Sequence, residues 1–195
     1  MPRISAPTVA EHRARRRADV LRAAEEIVVG EGSHALTLAA VAARTGLARP
    51  SVYAYFPSTE ALLVALVEEG FARWAETLRD ATADVAGPRD LVRAWFRAAA
   101  TSAAQGNHLL AAALRDTPLP QDTRTGLDAG HRAAAAPLVQ AARDLGAPDL
   151  EAASALVQGV VATLLERVEA GADAETEAAR AARFTLGGLE ALAAG

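Results

Sequence analysis

Arg49, Ser51, Tyr53 and Tyr55 bring one guanidinium and three hydroxyls into seven consecutive residues. Such side chains donate and accept hydrogen bonds. They form no acid–base pair, so what they offer is recognition of another molecule rather than bond making. A guanidinium fork can donate to guanine O6 and N7 in the major groove of a duplex, whereas Ser51 and Tyr53 discriminate less between bases. A second set of donors lies upstream. Residues 1–22 carry six arginines against Glu11 and Asp19, and residues 61–195 carry 12 against 18 acids, so the net charge of −4 conceals a basic arm ahead of an acidic body. Arg13, Arg16 and Arg17 in that arm suit phosphate contact, which needs no base specificity; the plain alternative is a solvated helix face. Every cation other than histidine is arginine and none is lysine, a uniformity that reflects composition more than function.

Catalytic patterns are missing. His12, His34, His108 and His131 have no metal-ligand spacing, and the chain has no HExxH, no Gly-rich phosphate loop, no GxSxG elbow and no paired-carboxylate signature. Cysteine is absent, which removes disulfides, thiol nucleophiles and cysteine-held metals. No enzyme activity, metal or cofactor is expected. No apolar run reaches the roughly 18 residues of a membrane span, and the amino end lacks the pattern of a secretory signal, so the expectation is a cytoplasmic protein without a membrane partner.

The residues are 51% hydrophobic but only 4% aromatic, with much of the remainder alanine, and period-two runs are nearly absent. The fold class is therefore all-α, with about nine helices. A first helix from about Thr8 to Val29 turns Val20, Leu21, Ala24, Ile27 and Val28 to one side and stops at Gly30 and Gly32. Thr37 caps a second helix that ends at Thr45-Gly46. A third, from Ala48 or Arg49 to about Tyr55, tolerates Pro50 in its first turn, points Val52 and Phe56 inward and closes at Pro57. This order reads as a helix-turn-helix. Ser58 then caps a long helix with a broad apolar stripe. The expected division is a DNA-binding domain at 8–57 and a ligand-sensing, dimerising helical domain at 58–193.

Further helices are expected at about 89–104, 108–114, 122–145, 149–170 and 173–193, the fourth of these five following the boundary at Gly146-Ala147-Pro148. The 122–145 segment is the weakest, because Gly126 and Gly130 lower its propensity and Pro137 would kink it. A ligand site between helices could use Phe71, Trp74, Trp95 and Phe96 as apolar walls, with Gln105, Asn107, His108 and His131 as polar groups; the plain alternative is that the aromatics are core. The last two helices carry more apolar and small surface than a terminus needs. Val157, Val161, Leu164, Val168, Ala178, Ala182, Thr185 and Leu189 are the candidate homodimer interface, across a two-fold axis.

The stretch TLAAVAARTGLARPSVYAYFPSTEALLVALVE (37–68) resembles the DNA-binding domain of TetR-family transcriptional regulators. The likeness covers about residues 13–67 and is most specific at VYAYFPSTEALL (52–63). It implies a homodimer on a palindromic double-stranded operator, usually a repressor released by a small, here largely apolar, effector. By position, it places Arg49, Pro50, Ser51 and Tyr53 toward the groove, Thr37 and Tyr55 on phosphate, and Phe56 in the core. Thr59 stands where the family most often has a phosphate-contacting lysine, and keeps a hydroxyl without the charge. Ala48 stands where serine or threonine is usual. Two other functions fit the same residues: a helical interaction or scaffold protein that does not bind an operator, and an activator of the same fold.

Overall fold

Alanine-rich segments broken by glycine and proline give helix as the only regular structure among the described residues of the computed structural model, which are 9–105 and 117–194. The helix expected at 108–114 lies outside them. The described elements are eight α-helices and one 3-10 turn, Ser33–Ala35: α1 Val9–Glu31, α2 Leu38–Thr45, α3 Arg49–Tyr53, α4 Thr59–Thr82, α5 Pro88–Ala104, α6 Gln121–Asp144, α7 Leu150–Glu169 and α8 Ala174–Ala194.

Local chemistry sets the boundaries. The Thr37 hydroxyl accepts from the Ala40 N–H at 3.0 Å, and Gly46 adopts φ 66°, a left-handed conformation open to glycine, so α2 is capped at one end and turned sharply at the other. Pro50 lies in the first turn of α3, which has no side-chain cap at Ala48. α3 ends at Tyr53, two residues before the expected end. A looser turn follows, with the Ala54 N–H on Pro50 O and the Phe56 N–H on Val52 O, before Pro57. Ser58, Asp149 and Asp173 accept from the backbone at the starts of α4, α7 and α8. α6 runs unbroken through Gly126, Gly130 and Pro137, with Thr123 buried near its start and Leu138, Ala141 and Ala142 buried in its last turns.

The chain divides into two units at Glu69 and Gly70, inside α4, with residues 117–119 grouped with the first. The first unit is built on Val20, Leu21, Ala24, Ile27 and Val28 of α1, Leu38, Val41 and Ala42 of α2, Val52, Phe56, and Leu62 and Leu66 of α4. With so many alanines, most of its burial energy rests on the larger side chains, at ~1.5–3 kcal/mol for each one fully buried. The second unit gathers Trp74, Leu78, Val92, Trp95, Phe96, Leu138, Val157, Leu164, Val168, Ala178, Ala182 and Leu186. Glu177 of α8 is the one charged residue buried among the described residues. It accepts two bonds from Arg167 of α7, at 2.7 and 2.9 Å, and one from Arg180. Hydrogen bonding by Arg167, reinforced by the two positive charges, holds this carboxyl below the usual glutamate range.

Candidate nucleic-acid interface and ligand cavity

In the first unit, Val52 and Phe56 are buried and fix how α3 is rolled. That roll leaves Arg49, Pro50 and Ser51 exposed, and Tyr53 is 54% accessible. Arg49 and Tyr53 are one helical turn apart and share a face. Arg49 makes no ion pair with any described residue. Tyr55 is half-buried against the core, and Thr59 is half-buried at the start of α4. Thr37 is exposed; its oxygen accepts the capping bond, which leaves the hydroxyl proton available outward.

The arm arginines separate into two kinds. Arg13 and Arg16 are exposed on α1 and have no ion pair among the described residues. Arg17 is committed to its own unit. Its Nη1 donates to Glu69 at 2.9 Å, and its guanidinium carbon lies 5.3 Å from the centre of the Phe56 ring. It thereby ties α1 to α4 and to the residue that anchors α3, an arrangement in which cation–π attraction adds to the ion pair.

In the second unit, a cavity of ≈ 540 Å³ opens between α6 and α7, with Trp74 of α4 and Trp95 of α5 lining it. Asp128, His131, Arg132, Ala135 and Val139 recur at helical spacing along α6, and Ser154, Val157, Gln158, Val161 and Leu165 do so along α7. The Trp95 indole donates to Ala134 O at 2.9 Å, which fixes the ring. Pro137 has no N–H to offer the carbonyl of Ala133, so α6 is loosened next to that acceptor. Behind the cavity, Phe71 lies 5.3 Å from Trp74 and 4.6 Å from His131, ring centre to ring centre. Gly130 makes this stacking possible: a Cβ there would stand 2.5 Å from Phe71 Cε1. His131 Nδ1 is 2.8 Å from Leu127 O.

Residues 20–66 match the family model described as bacterial regulatory proteins, tetR family. That match lies within the amino-terminal unit, from α1 into α4. Solved structures of transcriptional regulators extend the likeness over the remainder of the chain. A TetR-like regulator from Rhodococcus sp. RHA1 is 18% identical, with 97% of this chain and 98% of that one covered at a TM-score of 0.75. A putative transcriptional regulator from Pseudomonas aeruginosa PAO1 is 18% identical over 91% of both chains, at 0.77. The regulator FadR from Bacillus subtilis, in complex with stearoyl-CoA, is 16% identical over 88% of this chain and 98% of its own, at 0.72. At these identities the likeness establishes the TetR-type fold. No curated protein matches the sequence.

Against this TetR-type frame, the expected ligand-site residues divide. Trp74, Trp95 and His131 line the cavity. Phe71 supports its aromatic wall. Phe96 is fully buried, edge-on to Trp95 at 5.5 Å, and lies behind the lining. Gln105 is exposed and does not line it, and Asn107 and His108 lie outside the described residues. Asp128, Arg132, Ser154 and Gln158 are the polar groups that do line it; in the sequence each reads as an ordinary solvated position at the edge of an amphipathic helix. The eight residues expected at a dimer interface are largely committed to the chain's own packing, although Val157, Thr185 and Leu189 also line an open groove on α7 and α8. Val157, Leu164, Val168, Ala178, Ala182, Thr185 and Leu189 are buried by the chain's own helices, and Val161 lines the cavity. The apolar surface that α7 and α8 leave exposed is a different one, with Phe184 at 72% and Leu156 at 64% accessible, joined by Leu192 and half-buried Val160. Among the described residues no helix is long and apolar enough to cross a membrane, and no cluster of three or more His, Asp or Glu side chains is placed to hold a metal.

Proposed function

We propose that this protein is a sequence-specific DNA-binding transcriptional regulator. It acts as a homodimer that sets two copies of α3 into successive major grooves of a roughly two-fold operator. It lowers transcription until a small, largely apolar ligand enters the α6–α7 cavity. The observation that carries this reading is the surface of α3: the anchors Val52 and Phe56 are buried, while Arg49, Pro50, Ser51 and Tyr53 are left exposed. Arg49 reads guanine, and Ser51 and Tyr53 supply less selective contacts. Thr37, Tyr55, Thr59, Arg13 and Arg16 meet phosphate.

Dimerisation uses the exposed faces of α7 and α8. Leu156, Val160, Phe184 and Leu192 form a continuous apolar strip, and Gly159 and Gly188 let backbones approach. The buried hydroxyl of Thr185 lies beside that strip without a hydrogen-bond partner among the described residues. For the effector, the alanine, valine and tryptophan lining favours an apolar body, and Asp128, His131 and Arg132 gather polar contacts at one place. The stearoyl-CoA complex of the Bacillus subtilis protein is an instance of this fold holding an apolar chain.

The test is selection of bound duplexes from a random pool. The expected motif is an inverted repeat with half-sites about one helical turn, or a multiple of it, apart, bound with affinity that drops steeply as salt rises. No enrichment, or an asymmetric motif, would sink the reading. Candidate apolar ligands that bind the protein yet leave the selected duplex bound would remove the release step alone.

A further inference from the structure

The second unit carries a groove of ≈ 570 Å³ between α5 and α8, on surface the regulator reading does not use. Arg89, Arg93 and Arg97 recur every fourth residue along one face of α5, an arrangement of like charges that is unfavourable unless acids answer it. The outer two are answered from α8. Arg89 Nε lies 2.9 Å from Glu190, and Arg97 Nε lies 3.4 Å from Glu175. These two ion pairs also show that α5 and α8 run antiparallel, since the higher number on one helix meets the lower on the other. The middle rung therefore falls between residues 175 and 190 of α8, and the charged residue available to the groove there is Arg183.

The ladder is thus broken at its centre by a second cation. Arg93 is bonded only to Asp90 of its own helix, at 2.7 Å, and Arg183 has no ion pair among the described residues. The groove is lined by four arginines against two glutamates, within a body that is acidic as a whole. Its floor is Ala178, Ala179, Ala182, Leu186 and Gly187, small enough to leave room between the arginines.

We propose that the Arg93–Arg183 rung is an anion site that takes the phosphate group of a small phosphorylated molecule. A carboxylate has two oxygens and is filled by one guanidinium fork, whereas a tetrahedral phosphate has oxygens for two forks at once. The groove has space for a modest organic remainder beside the phosphate. This site is separate from the α6–α7 cavity and from α3, so it stands or falls independently of operator binding.

The experiment is calorimetric titration of the full chain with inorganic pyrophosphate and with orthophosphate, at constant ionic strength in chloride, with succinate as the carboxylate arm. The expected result is saturable pyrophosphate binding at one site per chain, weaker orthophosphate binding and no measurable succinate binding. Arg93→Gln and Arg183→Gln should each weaken pyrophosphate by about tenfold or more. Arg13→Gln/Arg16→Gln/Arg49→Gln should not, which separates this site from the arm and α3. A sharper variant is Arg183→Glu. It completes the ladder across to Arg93, so it should abolish pyrophosphate binding while keeping or raising the thermal midpoint measured without anion. Pyrophosphate should raise that midpoint for the unmodified chain and not for Arg183→Glu. Equal binding by all groove variants, loss of binding only in the arm and α3 variant, or succinate binding as tightly as pyrophosphate would each overturn the proposal.

Discussion

The surface of α3 and the surfaces of α7 and α8 are made by opposite means. In the first unit a small core buries Val52 of the third helix and Phe56 just beyond its end, so Arg49, Ser51 and Tyr53 are left outside. In the second unit the helices are apolar on more than one side. Val157, Leu164 and Val168 satisfy the chain's own core, while Leu156 and Val160, one and three residues from Val157, are left for something else. A helix with a single apolar face declares its outward residues; a helix with two does not say which face its own chain has taken.

The largest expected effect sets two phenylalanines against each other. Phe56→Ala removes a buried anchor and should destabilise the first unit by about 3–5 kcal/mol, seen in urea or thermal unfolding. Phe184→Ala should leave unfolding of the dilute protein nearly unchanged but lower the self-association measured by sedimentation. If the two substitutions behaved alike, the distinction between inward and outward apolar faces would fail.

Next in size, Arg49→Ala should cost about 1–3 kcal/mol of operator affinity and relax discrimination at one base pair per half-site, measured by titration at fixed salt against single-base variants. An unchanged base preference would take α3 out of the groove.

Arg17→Ala tests the two kinds of arm arginine. The Glu69 pair is half exposed and therefore contributes at most about 1 kcal/mol. Arg17→Ala should weaken binding modestly while leaving the slope of log affinity against log salt unchanged. Arg16→Ala should make that slope shallower by about one counterion per subunit. The reverse pattern would make Arg17 the phosphate contact.

The smallest effect concerns pH. Because Arg167 and Arg180 hold the folded-state pKa of Glu177 below its ordinary value, its contribution to stability is complete above the usual glutamate range and disappears as pH falls through that lowered value. Thermal midpoints of the unmodified protein and Glu177→Gln should therefore differ at neutral pH and converge in acid. A constant gap across that range would contradict it.

These contrasts also mark how far the residues alone could be read. The Thr37 cap, the Gly46 turn and Pro50 in a first turn are local chemistry, and each is where its residue type requires. The exposure of Arg49 and Tyr53 follows from the same spacing. The Arg17–Glu69 bond joins residues 52 apart, which no local pattern announces. The cavity's Asp128, Arg132, Ser154 and Gln158 come from two helices that only packing brings together, and the exposed strip at Leu156, Val160, Phe184 and Leu192 is obscured by the doubled apolar faces of α7 and α8.

Trp74 and Trp95 are the chain's only tryptophans, and both line the α6–α7 cavity. Indole emission shifts with the polarity around the ring, so the protein carries its own optical gauge at that place. A compound library can be screened by watching the unlabelled protein's fluorescence, with no duplex present and no dye attached.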